Sequence, residues 1–100
     1  MMKDSTFVKM FNGCFYDPEH DELHWSSDGQ LMKAELDCNG LARNVYVRWE
    51  ADRSDEWRKL PFAARVSINE GLRVAKAYGI AYEDLGRVAL DEGGRVFLEG

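Results

Sequence analysis

The sequence contains little cysteine and no long apolar run, and each shortage excludes a class of protein. Two cysteines, Cys14 and Cys38, are too few for the disulfide framework that stabilises small secreted domains. No apolar stretch approaches the roughly 20 residues that span a bilayer, and the first residues lack the basic and apolar segments of a secretory signal. We therefore expect a cytoplasmic protein with reduced thiols and no membrane contact.

The sequence also lacks the excess of positive charge that is typical of nucleic-acid-binding proteins. Its formal net charge is −5, and residues 17–28 account for all of it because they contain five acidic residues and no Lys or Arg. Elsewhere thirteen acidic residues balance the thirteen Lys and Arg. We call residues 17–22 the acidic loop, and we do not expect nucleic acid as the partner.

Two turn dipeptides, Asp28-Gly29 and Asn39-Gly40, predict a three-stranded antiparallel meander from Leu23 to Glu50. If each turn is a two-residue loop, Leu23 lies opposite Ala34, which in turn lies opposite Val45. One face of the sheet then holds the apolar set Leu23, Trp25, Met32, Ala34, Leu36, Val45, Val47 and Trp49, expected to lie under the helices. The other, open face holds His24, Lys33, Glu35, Tyr46, Arg48 and Glu50.

The segment before the meander contains two short apolar runs around Asn12-Gly13. We expect residues 6–16 to form a third tight hairpin with Met10 opposite Phe15, or a bent strand with a glycine bulge.

The chain changes to a helical period after the meander. Ser54 is a good N-cap for a first short helix that carries Trp57 and Leu60, and Pro61 would interrupt it. Residues 67–70 form a capping-box sequence that predicts a second helix ending at Gly79. The alternative is a single helix from about Pro61 to Tyr78.

The C-terminal residues predict a short helix over residues 80–85 and then two strands around Gly93-Gly94. These strands would form a hairpin with Leu90 opposite Phe97, or add an edge strand. The order of strands, helices and strands predicts one α+β domain over residues 1–100. We expect an antiparallel β-meander of four to six strands with two or three helices packed on one face.

A zinc site would have to use the chain's cysteines and histidines, which are Cys14, His20, His24 and Cys38. The two cysteines are not closely spaced, and the predicted register points His24 away from Cys38. We therefore expect no metal and no cofactor. No phosphate-binding glycine motif and no nucleophile elbow is present, so we also expect a protein that is not an enzyme.

Residues 72–88 resemble a helix-turn-helix motif. The resemblance covers about a fifth of the chain and rests on Ala75, Gly79, Ile80, Leu85 and Val88. It implies a DNA-binding regulator whose second helix enters the major groove. That second helix would present Glu83 and Asp84 to the DNA, and only Arg73, Lys76 and Arg87 could contact phosphates. This is the alternative function.

The preferred interpretation is a small acidic protein-binding module that acts as an inhibitor or regulator. In size and charge the chain resembles the small acidic inhibitors of phages, such as anti-restriction and anti-CRISPR proteins. That resemblance implies a basic partner that normally holds nucleic acid. The residues expected to bind it lie in the acidic loop and on the open sheet face, and they are Asp17, Glu19, Asp21, Glu22, Tyr46, Arg48 and Glu50. The oligomeric state stays open.

Overall fold

The computed structural model describes residues 2–51 and 56–100 and has the predicted α+β architecture. In chain order the elements are α1 (Asp4–Phe11), β1 (Phe15–Asp17), β2 (Glu22–Ser27), β3 (Gln30–Leu36), β4 (Ala42–Trp49), β5 (Arg58–Lys59), α2 (Phe62–Tyr78), a 3₁₀ helix (Tyr82–Arg87), β6 (Val88–Leu90) and β7 (Val96–Leu98). Strands β1 to β5 form one antiparallel sheet in sequential order, and β6 and β7 form a separate hairpin.

The predicted register of the meander is confirmed over most of its length. Leu23 pairs with Ala34, and Ala34 pairs with Val45. The second turn, however, is not a two-residue loop, because the register shifts at Glu35/Leu36 and Leu36 pairs with Ala42. The Asp37 carboxylate explains the longer loop, since its Oδ1 accepts hydrogen bonds from the backbone N–H groups two and four residues further on, at 2.8 and 3.1 Å.

The prediction of a hairpin or bent strand over residues 6–16 is wrong, because residues 4–11 form helix α1. Phe7 and Phe11 are four residues apart, so both lie on one side of α1, where both are buried and their ring centroids are 5.3 Å apart. Gly71 of α2 permits the close approach of the two helices, since a Cβ there would lie 2.6 Å from Phe11 Cε2. The two rings thus anchor α1 in the core.

Residues 62–78 form the single helix that was the alternative, so the predicted break at the capping box is wrong. Ser67 lies inside α2, where its hydroxyl donates to the Ala63 carbonyl at 3.3 Å. Gly79 ends the helix with φ of 72°, as predicted. The expected N-cap Ser54 lies outside the described residues.

The short helix expected around Trp57 and Leu60 is also wrong, because residues 58–59 form strand β5 beside β4. Leu60 continues this pairing by donating its backbone N–H to the Val45 carbonyl at 2.8 Å. Pairing with an edge of the sheet satisfies these backbone groups as well as a helical turn would.

The C-terminal hairpin forms with a register one residue away from the prediction, because Leu90 pairs with Val96 and not with Phe97. Asp91 Oδ1 accepts hydrogen bonds from the N–H groups of Gly93 and Arg95, both at 2.9 Å. This network closes a three-residue loop, whereas the prediction assumed two residues.

The helices cover only part of the inner sheet face. The apolar residues buried there are Leu23, Ala34, Leu36 and Val45, but Trp49 is 48% exposed. The remaining apolar residues of that face, Trp25, Met32 and Val47, are half-buried. The expectation that the whole face lies under helices is therefore wrong at the end near the β2–β3 turn. No helix in the described part of the chain has the length and apolar character required to cross a bilayer.

Candidate protein-binding surface

In the described part of the chain no helix packs on the outer face of the five-stranded sheet, which carries three rows of side chains. The row nearest the β2–β3 turn crosses three strands and consists of Ser26, Leu31 and Arg48, and the other two rows are longer. Residues directly opposite each other on neighbouring strands share a face, so the register defines the rows. The longest row crosses all five strands and consists of Phe15, His24, Lys33, Tyr46 and Lys59. The remaining row crosses four strands and consists of Asp17, Glu22, Glu35 and Asn44.

Asp17 builds the acidic loop that connects β1 to β2. Its Oδ1 accepts the N–H groups of Glu19 and His20 at 3.0 and 3.4 Å, and its Oδ2 lies 2.7 Å from His20 Nδ1. The hydrogen bond from His20 lowers the pKa of the Asp17 carboxyl, and the same contact raises the pKa of His20. Asp17 therefore organises the loop as well as contributing charge to it.

Asp21 ends the acidic loop in a left-handed conformation, with φ of 53°. Its carboxylate accepts the Tyr16 hydroxyl at 2.8 Å, and this hydrogen bond raises the pKa of Tyr16 to about 12. The Asp21 carbonyl also accepts the N–H of Leu36 at 3.0 Å. Glu19 is also exposed, and its carboxylate lies within 4.8 Å of the side-chain ligand atoms of Asp17 and His20.

Glu35 joins the acidic row to Tyr46. Burial opposes ionisation of the Glu35 carboxyl, but hydrogen bonds from Asn44 at 3.0 Å and Tyr46 at 2.9 Å outweigh it and lower its pKa. The same bond raises the pKa of the Tyr46 phenol. Tyr46 lies on the predicted face, but it is half-buried with a fixed hydroxyl.

Trp57 lies over the cationic part of this face. Lys33 Nζ is 4.7 Å from the Trp57 ring centroid and 5.3 Å from that of Tyr46, and Arg48 Cζ is 5.2 Å from Trp57. These are cation–π distances. Glu50 lies just beyond β4, where its N–H donates to the Gly29 carbonyl at 2.9 Å and its side chain is exposed.

Sequence reasoning missed two aromatic residues of this surface. Phe15 was expected inside a hairpin but is 64% exposed on the edge strand, in the row beside Asp17. Trp57 was expected on the apolar side of a helix. No local pattern marks either one, because the position of each depends on which strands pair.

The four candidate zinc ligands do not come together. Among the described residues, the groups with ligand atoms within 4.8 Å of one another are Asp17, Glu22 and His24, and Asp17, Glu19 and His20. Neither contains a cysteine. Burial raises the pKa of the Cys14 thiol to about 11, and Cys38 is exposed in the loop after β3. The Asp17–His20 hydrogen bond of the loop and the Glu22–His24 hydrogen bond along β2, at 3.2 Å, account for the carboxylate and imidazole contacts.

The segment that resembles a helix-turn-helix does not form a second α-helix. Residues 82–87 form a 3₁₀ helix that leads directly into strand β6, and Leu85 is buried in the core. Arg87 forms an ion pair with Asp84 at the end of this element. The geometry that places a recognition helix in a major groove is therefore missing from residues 82–87.

Asp17→Asn is expected to lower the pKa of His20 toward its ordinary value of about 6.5, because the hydrogen-bonded carboxylate is lost. In the native protein the contribution of this ion pair to stability is lost as the pH rises through the raised pKa of His20. It is also lost as the pH falls through the lowered pKa of Asp17. NMR titration of the His20 imidazole measures the change, with Glu50→Gln as the control. An unchanged His20 pKa in Asp17→Asn would contradict the contact.

Comparison of the chain with protein-family models, with curated proteins and with solved structures found no match.

Proposed function

We propose that this protein is a non-enzymatic binding module that docks a basic protein surface, using the acidic loop and the adjoining outer face of the sheet. One observation carries the proposal. A 64% exposed aromatic ring, Phe15, stands in the row next to Asp17 and Glu22, with the rest of the acidic loop directly beside it.

The physical chemistry of interfaces supports this surface over the rest of the sheet. Binding energy concentrates in a few aromatic side chains, while surrounding charges set the orientation and the rate of encounter. Phe15 offers the aromatic contact, and Glu19 offers an exposed charge that a basic partner complements. Glu22 adds a second negative charge, although its side chain is 15% exposed and its Oε1 lies 3.2 Å from His24 Nε2. Hydrogen bonds to Asp17 and Asp21 hold the loop in one conformation, so less conformational entropy is lost on binding.

The partner's chemistry follows from the charge. A protein that presents Lys and Arg toward nucleic acid would find in the acidic loop a substitute for phosphates. Occupation of such a surface would inhibit or regulate the partner. We therefore propose that the protein acts as an inhibitor or regulator of this partner.

The footprint of a captured partner tests the proposal. The protein is used as bait in a lysate of the cells that express it, and the partner is purified. Hydrogen exchange of the complex is expected to show new protection at residues 15–24 and on the outer face of β3, and the complex should dissociate as salt is raised. Protection confined to α2, or to the half-covered inner face near Trp49, would contradict it.

A further inference from the structure

A cleft of about 370 Å³ lies between α2 and the start of β4, and three arginines line it. They are Arg43 on β4 and Arg65 and Arg73 on α2. The lining also includes Asp37, Phe62, Val66 and Asn69.

Asn69 holds the two sides of the cleft together. Its side-chain Oδ1 accepts the N–H of Ala42 at 2.6 Å, and its Nδ2 donates to the carbonyl of the same residue at 3.2 Å. Arg65 and Arg73 lie four residues before and after Asn69, so they share its side of α2. These two hydrogen bonds hold the side of α2 that carries both arginines against the start of β4, where Arg43 lies.

Positive charge in the cleft exceeds the negative charge available to neutralise it. Arg65 Nη1 donates to the Arg43 carbonyl at 3.3 Å, and Arg43 Nη2 is 4.0 Å from a Glu35 oxygen. Arg73 forms no ion pair within residues 2–51 and 56–100. Asp37, the acidic residue of the lining, is engaged by the backbone of its own loop. Three guanidinium groups against the one carboxylate of the lining leave the cleft positively charged, and an oxyanion would match their planar donors.

An exposed apolar patch that consists of Phe62 and Val66, called the shelf below, adjoins the arginines. Phe62 is 66% exposed and Val66 is 48% exposed, one turn apart on α2. The Arg65 guanidinium lies 4.4 Å from the Phe62 ring centroid and so joins the shelf to the charged part of the cleft. Phe62 and Val66 contribute little to the core at this exposure, and the fold alone does not account for them.

We propose that this cleft binds a phosphate monoester that carries an aromatic group, with the phosphate on Arg43, Arg65 and Arg73 and the ring on Phe62 and Val66. The volume suits a small ligand. Two sources share this chemistry, a nucleoside monophosphate and a phosphotyrosine side chain.

Titrations with AMP, with O-phosphotyrosine and with inorganic phosphate test the proposal by NMR shifts of the full chain. At least one monoester is expected to bind saturably and about tenfold more tightly than inorganic phosphate, since burial of a ring contributes roughly that factor. Preference for AMP identifies the nucleotide as the source, and preference for O-phosphotyrosine identifies the side chain. Equal affinity for inorganic phosphate and both monoesters would overturn the proposal.

Three variants locate the site. Arg65→Gln and Arg73→Gln should each weaken the monoester about tenfold, because each removes a charged hydrogen bond. Phe62→Ala should reduce monoester affinity to that of inorganic phosphate and leave inorganic phosphate binding unchanged. Arg95→Gln, an exposed arginine in the C-terminal hairpin, is the matched control. All four residues are outside the buried core, so thermal unfolding should confirm that each variant is folded. Equal losses in Arg95→Gln and the cleft variants would overturn the proposal.

Discussion

Replacing Phe11 by alanine is expected to lower the free energy of unfolding by about 3–5 kcal/mol, a large part of the 5–15 kcal/mol typical of a small domain. Phe11 is 1% exposed, and its ring packs against Phe7 and against the backbone of α2 at Gly71. The substitution would leave a cavity at the point where the two helices meet. Urea denaturation measures the loss.

Phe15→Ala is the matched control, because it removes the same atoms from a ring that is 64% exposed. Its cost is expected to be below about 1 kcal/mol, as for other surface substitutions outside the core. Equal losses from the two substitutions would contradict the placement of α1.

The meander could be predicted because two independent signals agree on it. The alternation of apolar and polar residues and the turn dipeptide Asp28-Gly29 both require the pairing of Leu23 with Ala34. The predicted register was wrong by one residue at the two loops in which a side chain accepts backbone hydrogen bonds. Asp37 and Asp91 each accept backbone N–H groups and lengthen their loops, and a turn dipeptide does not reveal this.

Helix α1 could not be predicted, because its stability is not local. Eight residues are too few for a helix that is stable in isolation, which needs at least 12–15 residues. The helix forms because Phe7 and Phe11 are buried where α1 packs against α2 and strand β6. Strand β5 also depends on residues distant in the sequence, since its two residues pair with strand β4 of the meander.

The candidate binding surface was only partly predictable. Because the register was predicted, Tyr46 and Arg48 could be placed on the open face together with Glu35. The acidic loop could be placed beside that face. The positions of Phe15 and Trp57 on this surface could not be predicted, because both residues lie in segments whose structure was predicted wrongly. Their addition turns a charged loop into a surface with aromatic contacts, and this change supports the proposed protein partner.

Removing three charges from the acidic loop is expected to weaken the complex with the partner about tenfold. The variant Glu19→Gln, Asp21→Asn, Glu22→Gln keeps the shape of each side chain, and the new amide oxygens can still accept hydrogen bonds such as that from Tyr16. Rim charges contribute about 0.5 kcal/mol each, so three of them amount to roughly 1.4 kcal/mol, which is a factor of about ten in affinity. The association rate should fall, and the salt dependence should become weaker.

A second variant separates the position of these charges from their number. Glu70→Gln, Glu92→Gln, Glu99→Gln also changes the formal charge from −5 to −2, using exposed residues outside the acidic loop. The most direct test measures the affinity of the purified partner for both triple variants and for the native protein at one salt concentration. We predict a tenfold loss for the acidic-loop variant and a change of less than about twofold for the control. Equal affinity of the partner for the two variants would contradict the assignment of the acidic loop as its docking site.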